Sequence, residues 1–102
     1  MATNTFIAGS GAKNWSDGTA WDLTHAPTAD EDAVYASTTV GDNLTIDGTV
    51  GSPNLCRSLN CTGCTKTLTH AADKYLNIGD GTVGHLTIVS GMTYAPASTS
   101  YI

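Results

Sequence analysis

The sequence has few charged residues and very few basic ones. Asp, Glu, Lys and Arg make up 13% of the chain, against roughly 25% in an ordinary soluble domain. Four lysines and arginines stand against nine acidic residues, and the formal net charge is −5. A chain with so few cations cannot neutralise a row of phosphates, so we expect neither nucleic acid nor an anionic membrane as a partner.

Helical periodicity is also absent. No window keeps apolar residues at helical spacing over two turns, and Thr, Val, Ile and Gly stand where a helix would have Ala, Leu, Glu and Lys. No apolar run approaches the length of a transmembrane helix, and residues 1–7 lack the basic and apolar regions of a secretory leader. We expect an all-β protein that is made in the cytosol, or one whose leader has been removed.

Cysteine occurs only at Cys56, Cys61 and Cys64, in a C-x4-C-x2-C cluster. The odd count argues against a disulfide framework. His70 or His85 could complete a zinc site with these cysteines, but the second C-x2-C or H-x3-H pair of a typical site is missing. The three cysteines are therefore weak metal candidates, and we expect no cofactor. The alternative is that Cys56 and Cys61 are small inward-facing residues of a β core.

Catalytic motifs are missing as well. No nucleophile elbow surrounds a serine, and three scattered histidines do not make a triad pattern. The acidic run at residues 30–32 offers the oxygen ligands that calcium prefers, but it lacks the spacing of a calcium loop, and a solvated turn is favoured. We expect no enzyme activity.

Short strand-like segments separated by turns make up most of the chain. Turn dipeptides occur at Asp17-Gly18, Asp47-Gly48 and Asp80-Gly81. From residue 43 onward the segments share a pattern, in which a leucine is followed by Thr or Asn and usually by a second apolar residue. These leucines are Leu44, Leu59, Leu68, Leu76 and Leu86. Alternation along a strand would send them all to one face, into a shared interior.

The leucine spacings predict a coiled arrangement of these strands. Leu59 and Leu76 are 17 residues apart, and Leu68 and Leu86 are 18 apart, about one turn of a β-solenoid. The sequence therefore predicts a short β-solenoid, similar to a parallel β-helix, with its coils over residues 41–102. A small antiparallel β-sandwich is the alternative, because it would show the same alternation.

Residues 1–40 differ from the rest, and we interpret them as an N-terminal cap that ends in a first full strand at residues 33–36. They contain both tryptophans and the only phenylalanine. An open solenoid end exposes apolar core and unpaired strand edges, so we expect a covering segment. The predicted cap or anchoring contacts are Phe6, Trp15, Trp21 and Tyr35, with ordinary core packing as the alternative.

Several motifs occur in a distinctive order along the chain. They are Gly9-Ser10-Gly11, Asn14-Trp15-Ser16-Asp17, Trp21, Pro27-Thr28, the run from Asp30 to Tyr35, Cys56-Arg57-Ser58-Leu59-Asn60-Cys61, Leu86-Thr87-Ile88 and Gly91-Met92-Thr93. This pattern covers nearly the whole chain and resembles the N-terminal region of phage and metaviral β-solenoid structural proteins. The resemblance implies a non-enzymatic virion component, such as a tail or head fibre, a spike, or a capsid decoration protein.

The resemblance also sets the expectations for partners and location. Capsid, portal or tail subunits are the expected partners, in a virion assembled in the host cytoplasm. A homo-oligomer is expected, and a trimer is the state borrowed from fibres. Residues 93–102 end without a capping segment, so we expect another subunit to cover this end or the natural chain to continue. The other candidate function is a glycan-binding adhesion module of a phage or bacterial surface protein, in which exposed aromatic rings stack on sugars.

Overall fold

The structure is a computed structural model that describes residues 2–7, 11–36, 43–79, 85–87 and 93–96, and for residues 85–87 it describes the backbone. The described part of the chain is all-β, as predicted, with one short 3-10 turn at Gly18–Ala20. Its strands are β1 (Ala2–Thr5), β2 (Lys13–Asn14), β3 (Glu31–Val34), β4 (Leu44–Ile46), β5 (Asn54–Cys56), β6 (Ser58–Asn60), β7 (Thr67–His70), β8 (Leu76–Ile78), β9 (His85–Thr87) and β10 (Thr93–Pro96).

The strands form three small sheets in which every pair of named strands is parallel. The strand orders are β1-β3-β6-β9, β10-β7-β4-β2 and β5-β8. Successive strands belong to the three sheets in a fixed order, first β3, β4 and β5 and then β6, β7 and β8. We call each such series of three strands, one in each sheet, a pass. For the described strands, this parallel pairing excludes the antiparallel β-sandwich.

The predicted spacing of 17 or 18 residues per turn is wrong. Leu44 lies opposite Leu68, and Leu59 lies opposite Leu86, so 24 and 27 residues separate the partners. A pass contains three strands, whereas the predicted spacing spans only two steps of the leucine pattern, from Leu59 through Leu68 to Leu76. The leucine pattern could not distinguish these cases, because strands of different sheets carry the same Leu-Thr or Leu-Asn unit.

Alternation along the strands produces the core. Four of the five leucines that were predicted to share an interior are buried in one apolar cluster, namely Leu44, Leu59, Leu68 and Leu76. The shared interior is thus confirmed for these four, while the side chain of Leu86 lies outside the described residues. Thr45 is half-buried and Asn77 is exposed, as expected for the opposite face. Burial of each leucine contributes about 1.5–3 kcal/mol to folding.

The division between a cap at residues 1–40 and coils at residues 41–102 stays a prediction, because its boundary falls outside the described residues. β1 already pairs with β3, and β2 pairs with β4. The sheets therefore begin with β1, earlier than the predicted first strand at residues 33–36. The predicted turn at Asp80-Gly81 also falls outside the described residues.

Candidate functional site

The four predicted contact residues lie together in the core. Phe6, Trp15, Trp21 and Tyr35 are at most 6% exposed. Ring centroids are 5.0 Å apart for Tyr35 and Phe6, 5.7 Å for Phe6 and Trp21, and 5.0 Å for Trp21 and Trp15. The contacts of Phe6 are edge-on, which suits the charge distribution of aromatic rings. Such burial leaves no ring face on which a partner or a sugar could stack.

Hydrogen bonds fix two of these side chains. The indole nitrogen of Trp21 donates to the carbonyl oxygen of Trp15 at 2.9 Å. The hydroxyl of Tyr35 donates to the carbonyl oxygen of Thr67 at 3.1 Å. The indole nitrogen of Trp15 is buried and has no acceptor within the described ranges. A buried donor without an acceptor costs about 1–3 kcal/mol, so the packing of the Trp15 ring outweighs this cost.

Residues 20–23, named the edge cover, lie along the edge of β1 that faces away from β3. Phe6 and Trp21 form an antiparallel bridge there. Further hydrogen bonds run from Ile7 N–H to Ala20 O (2.7 Å), from Asp22 N–H to Thr5 O (2.9 Å) and from Thr5 N–H to the Asp22 carboxylate (2.8 Å). An open edge would present unpaired N–H and C=O groups to other chains. The edge cover satisfies the outward N–H and C=O groups of Thr5 and the N–H of Ile7, at the C-terminal end of β1.

A buried polar network fastens the segment that follows the edge cover. Asn4 is fully buried, and its side-chain amide donates to the carbonyl oxygen of His25 at 2.8 Å and to Glu31 at 3.2 Å. The other carboxylate oxygen of Glu31 lies 2.8 Å from Nε2 of His25. Burial alone would raise the pKa of Glu31, but hydrogen bonds from His25, Thr28 and Asn4 outweigh it and lower that pKa. Glu31 therefore belongs to a buried network and not to the predicted solvated turn.

Asp32, the next residue of β3, has different partners. Its carboxylate accepts from the Ser58 hydroxyl at 2.7 Å and from the Arg57 guanidinium at 2.9 Å. These hydrogen bonds, from Ser58 first and then from Arg57, lower the pKa of Asp32. Glu31 and Asp32 thus serve separate contacts. Within the described ranges, no three His, Cys, Asp or Glu residues form a group that could hold a metal ion.

The three cysteines are buried in the apolar core. The interpretation of Cys56 and Cys61 as small inward-facing residues is confirmed, since both are 0% exposed. Burial raises the pKa of each of these two thiols to about 12. Because the thiolate is the form that attacks electrophiles, the raised pKa makes both thiols weak nucleophiles at neutral pH.

His70 is a buried histidine with a contact at each ring nitrogen. Nε2 lies 2.7 Å from the carbonyl oxygen of Lys74, and Nδ1 lies 2.8 Å from the hydroxyl of Tyr94. A carbonyl can only accept, so we assign the proton of the neutral ring to Nε2, and Nδ1 then accepts from Tyr94. Burial raises the pKa of Tyr94, which keeps its hydroxyl protonated as the donor. His70 therefore joins β7 to β10 and serves a structural role.

A cavity of about 360 Å³ lies beside β5. It is lined by residues 15–16, 26–27, 47–49 and 52–55. At its polar side, the Asp47 carboxylate accepts from the N–H of Ser16 at 3.1 Å, from the Ser16 hydroxyl, and from the side-chain amide of Asn54 at 3.2 Å. Pro27, Pro53 and Leu55 supply apolar walls. None of the lysine or arginine residues in the described ranges lines the cavity.

Sequence reasoning missed this cavity, because four separate segments form its walls. The Asp47-Gly48 dipeptide predicted a turn, but the chain turns just after it, where Thr49 and Ser52 exchange backbone hydrogen bonds. Gly48 instead allows a close approach of two backbone segments, because a Cβ atom there would lie 2.1 Å from the backbone nitrogen of Asn54. No local sequence pattern indicated that Trp15 and Pro27 would line the same cavity as residues 47–49.

Within the described ranges, no helix is long and apolar enough to cross a lipid bilayer. No protein-family model, curated protein or solved structure matches the chain.

Proposed function

We propose that this chain is a non-enzymatic structural module of a phage virion, built as a short β-solenoid with an N-terminal cap. It attaches to the particle or decorates it, in contact with capsid, portal or tail subunits, and acts as a homo-oligomer. The observation that carries this proposal is the repeated order of the sheets, in which each pass places its strands beside those of the pass before. Such stacking makes a scaffold whose strand edges and sheet faces can bind other subunits.

The register supports the solenoid architecture. Leu44 is paired with Leu68, and the outward-facing Thr45 is paired with Thr69. Leu59 is likewise paired with Leu86 along the backbone. Like residues at equivalent positions of successive passes are typical of solenoids, because each pass buries its apolar side chains against the next.

The edge cover supports the cap. It bonds to the outward backbone groups of Thr5 and Ile7 at the edge of β1, and the Asn4–Glu31 network holds the chain that follows it. Solenoids need such terminal segments, since an uncovered edge promotes aggregation. Trp21 belongs to the edge cover and carries the apolar part of this contact.

Side-chain chemistry supports a non-enzymatic role. Cys56 and Cys61 are protonated at neutral pH because their pKa values are about 12. Both ring nitrogens of His70 have partners in the interior, and His25 is paired with Glu31. Sugar binding by ring stacking is disfavoured, because the four aromatic side chains proposed for it are buried.

The decisive experiment is to locate the chain in particles. Antibodies raised against the recombinant chain would be used for immunoelectron microscopy, and quantitative mass spectrometry would count copies in purified virions. We expect regular labelling at one position and a fixed copy number per particle. Presence of the chain in infected cells together with its absence from purified particles would contradict the proposal. Specific binding on a glycan array would favour the adhesion module instead.

A further inference from the structure

We propose that the cavity beside β5 is a slot for an extended peptide segment of a protein partner, which adds as a third strand to the β5–β8 sheet. The inference rests on the proposed function and deepens it, because it specifies how a virion protein would be held. The partner chemistry is a short strand of small side chains with one basic residue next to Asp47.

The first observation is a missing strand. In the other two sheets, β3 and β4 each have a strand of the preceding pass beside them, β1 and β2 respectively. β5 has no such neighbour, because its sheet contains only β5 and β8 among the described residues. The chain from residue 15 to residue 30 forms turns and the edge cover where the other sheets have that strand. Within the described part of the chain, β5 therefore has a free edge.

The second observation is the direction of the backbone groups at this edge. Asn54 N–H donates to the carbonyl oxygen of Tyr75 at 3.0 Å, and Gly79 N–H donates to that of Cys56 at 2.9 Å. In a parallel ladder, the residue between two such positions points its N–H and C=O the opposite way. The backbone groups of Leu55 therefore point away from β8, where a further strand would meet them.

The third observation is the lining of the cavity. Residues 53–55 line it together with residues 26–27, which belong to the segment that follows β2 in place of a third strand, whereas no described residue of β8 contributes. A volume of about 360 Å³ is near the lower end of ligand sites, which span about 300–1,000 Å³. A strand rises about 3.3 Å per residue, so a segment of about three small residues matches the three-residue β5.

Charge and hydrogen bonding favour a peptide over a sugar. The Ser16 hydroxyl and the Asn54 side-chain amide are already bonded to Asp47, which removes them as partners for sugar hydroxyls, while the Asp47 carboxylate accepts three hydrogen bonds and has about four acceptor sites. The backbone N–H and C=O groups of Leu55 offer the donor and the acceptor of a strand edge. The backbone of an extended peptide can pair with both groups. Among the described residues, the Asp47 carboxylate is the only charged group in the lining, and with a net charge of −5 on the chain it favours a basic residue.

The experiment is a titration of the folded recombinant chain, followed by nuclear magnetic resonance of its backbone amides. The probe is the capped peptide acetyl-Lys-Thr-Val-Thr-amide at millimolar concentrations. We expect saturable shifts at Ala26, Asp47 and Leu55. A probe with its central amides N-methylated should bind at least about tenfold more weakly, equivalent to ~1.4 kcal/mol, because it cannot donate to the Leu55 carbonyl. A probe with Glu in place of Lys should also bind more weakly.

A matched pair of variants tests the protein side. Leu55→Pro removes the outward N–H, which an edge strand tolerates because that group is outside the ladder. Leu55→Ala keeps the N–H and serves as the control. We expect Leu55→Pro to abolish the shifts caused by the peptide and Leu55→Ala to retain them. If Leu55→Pro does not fold, the N-methylated probe on the unchanged protein decides the same question.

Three results would overturn the slot. They are no shift at millimolar peptide, equal binding of the N-methylated probe, and shifts at these residues caused by glucose, galactose or N-acetylglucosamine but not by the peptide. Failure of the slot is distinguishable from failure of the proposed function. If the chain occurs in particles but does not bind the probe, only the peptide slot is refuted. If the chain binds the probe but is absent from particles, only the virion role is refuted.

Discussion

Replacement of Trp21 tests the packing of the edge cover against the core. The side chain is 1% exposed, contacts the rings of Phe6 and Trp15, and donates to the Trp15 carbonyl. Trp21→Ala removes all of this, and such truncations of buried tryptophan cost about 3–5 kcal/mol. Trp21→Phe keeps most of the ring contact but leaves the Trp15 carbonyl without its donor, so we expect a loss of about 1–3 kcal/mol.

Urea unfolding followed by circular dichroism measures these losses. With a slope of about 1.5 kcal/mol per molar urea, Trp21→Ala should lower the midpoint by about 2–3 M and Trp21→Phe by about 1–2 M. Ile7→Ala is the control, because that side chain is 55% exposed, and it should change stability by less than about 0.5 kcal/mol. A loss below about 1 kcal/mol for Trp21→Ala would refute the buried position of the indole and, with it, the edge cover.

Three other predictions concern titration, thiols and the buried histidine. The folded-state pKa of Glu31 lies below its ordinary value of 4.5, so its stabilising effect is present above that pH and is lost as the pH falls through the folded-state value. Glu31→Gln should therefore flatten the fall of the urea midpoint on acidification; an unchanged slope would contradict the network. Cys56 and Cys61, each with a pKa of about 12, should react with a thiol reagent at mildly alkaline pH only after unfolding, and rapid native labelling would count against their burial. Tyr94→Phe should cost about 1–3 kcal/mol in urea unfolding, since it leaves Nδ1 of His70 without its donor; a neutral effect would mean that this contact is not made.

The local structure was predictable from the sequence, because strand alternation is a local property. The Leu-Thr-Ile unit at residues 44–46 predicted one buried and one outward face, and β4 has that pattern. The same alternation predicted the inward position of Cys56. The number of strands per pass was not predictable, since it depends on which distant strand each leucine meets and not on the unit itself.

The candidate site was less accessible to sequence reasoning. Two tryptophans near the N-terminus are compatible with either a contact surface or a core, and only the tertiary packing of Phe6 and Tyr35 against Trp21 distinguishes them. Glu31 stands in an acidic run, which is typical of a solvated turn. Its burial depends on Asn4 and His25, which come from other segments.

The parallel register has a consequence for how this chain folds. Paired strands start between 22 residues apart, for β5 and β8, and 31 apart, for β2 and β4. No described strand pairs with the next strand in the chain, so folding cannot begin from a hairpin. Each pairing must first close a loop of roughly this length, and the entropy of closure is lost before any contact is gained. We therefore expect refolding in milliseconds to seconds, slow for a domain of this size, with a nucleus that joins two successive passes.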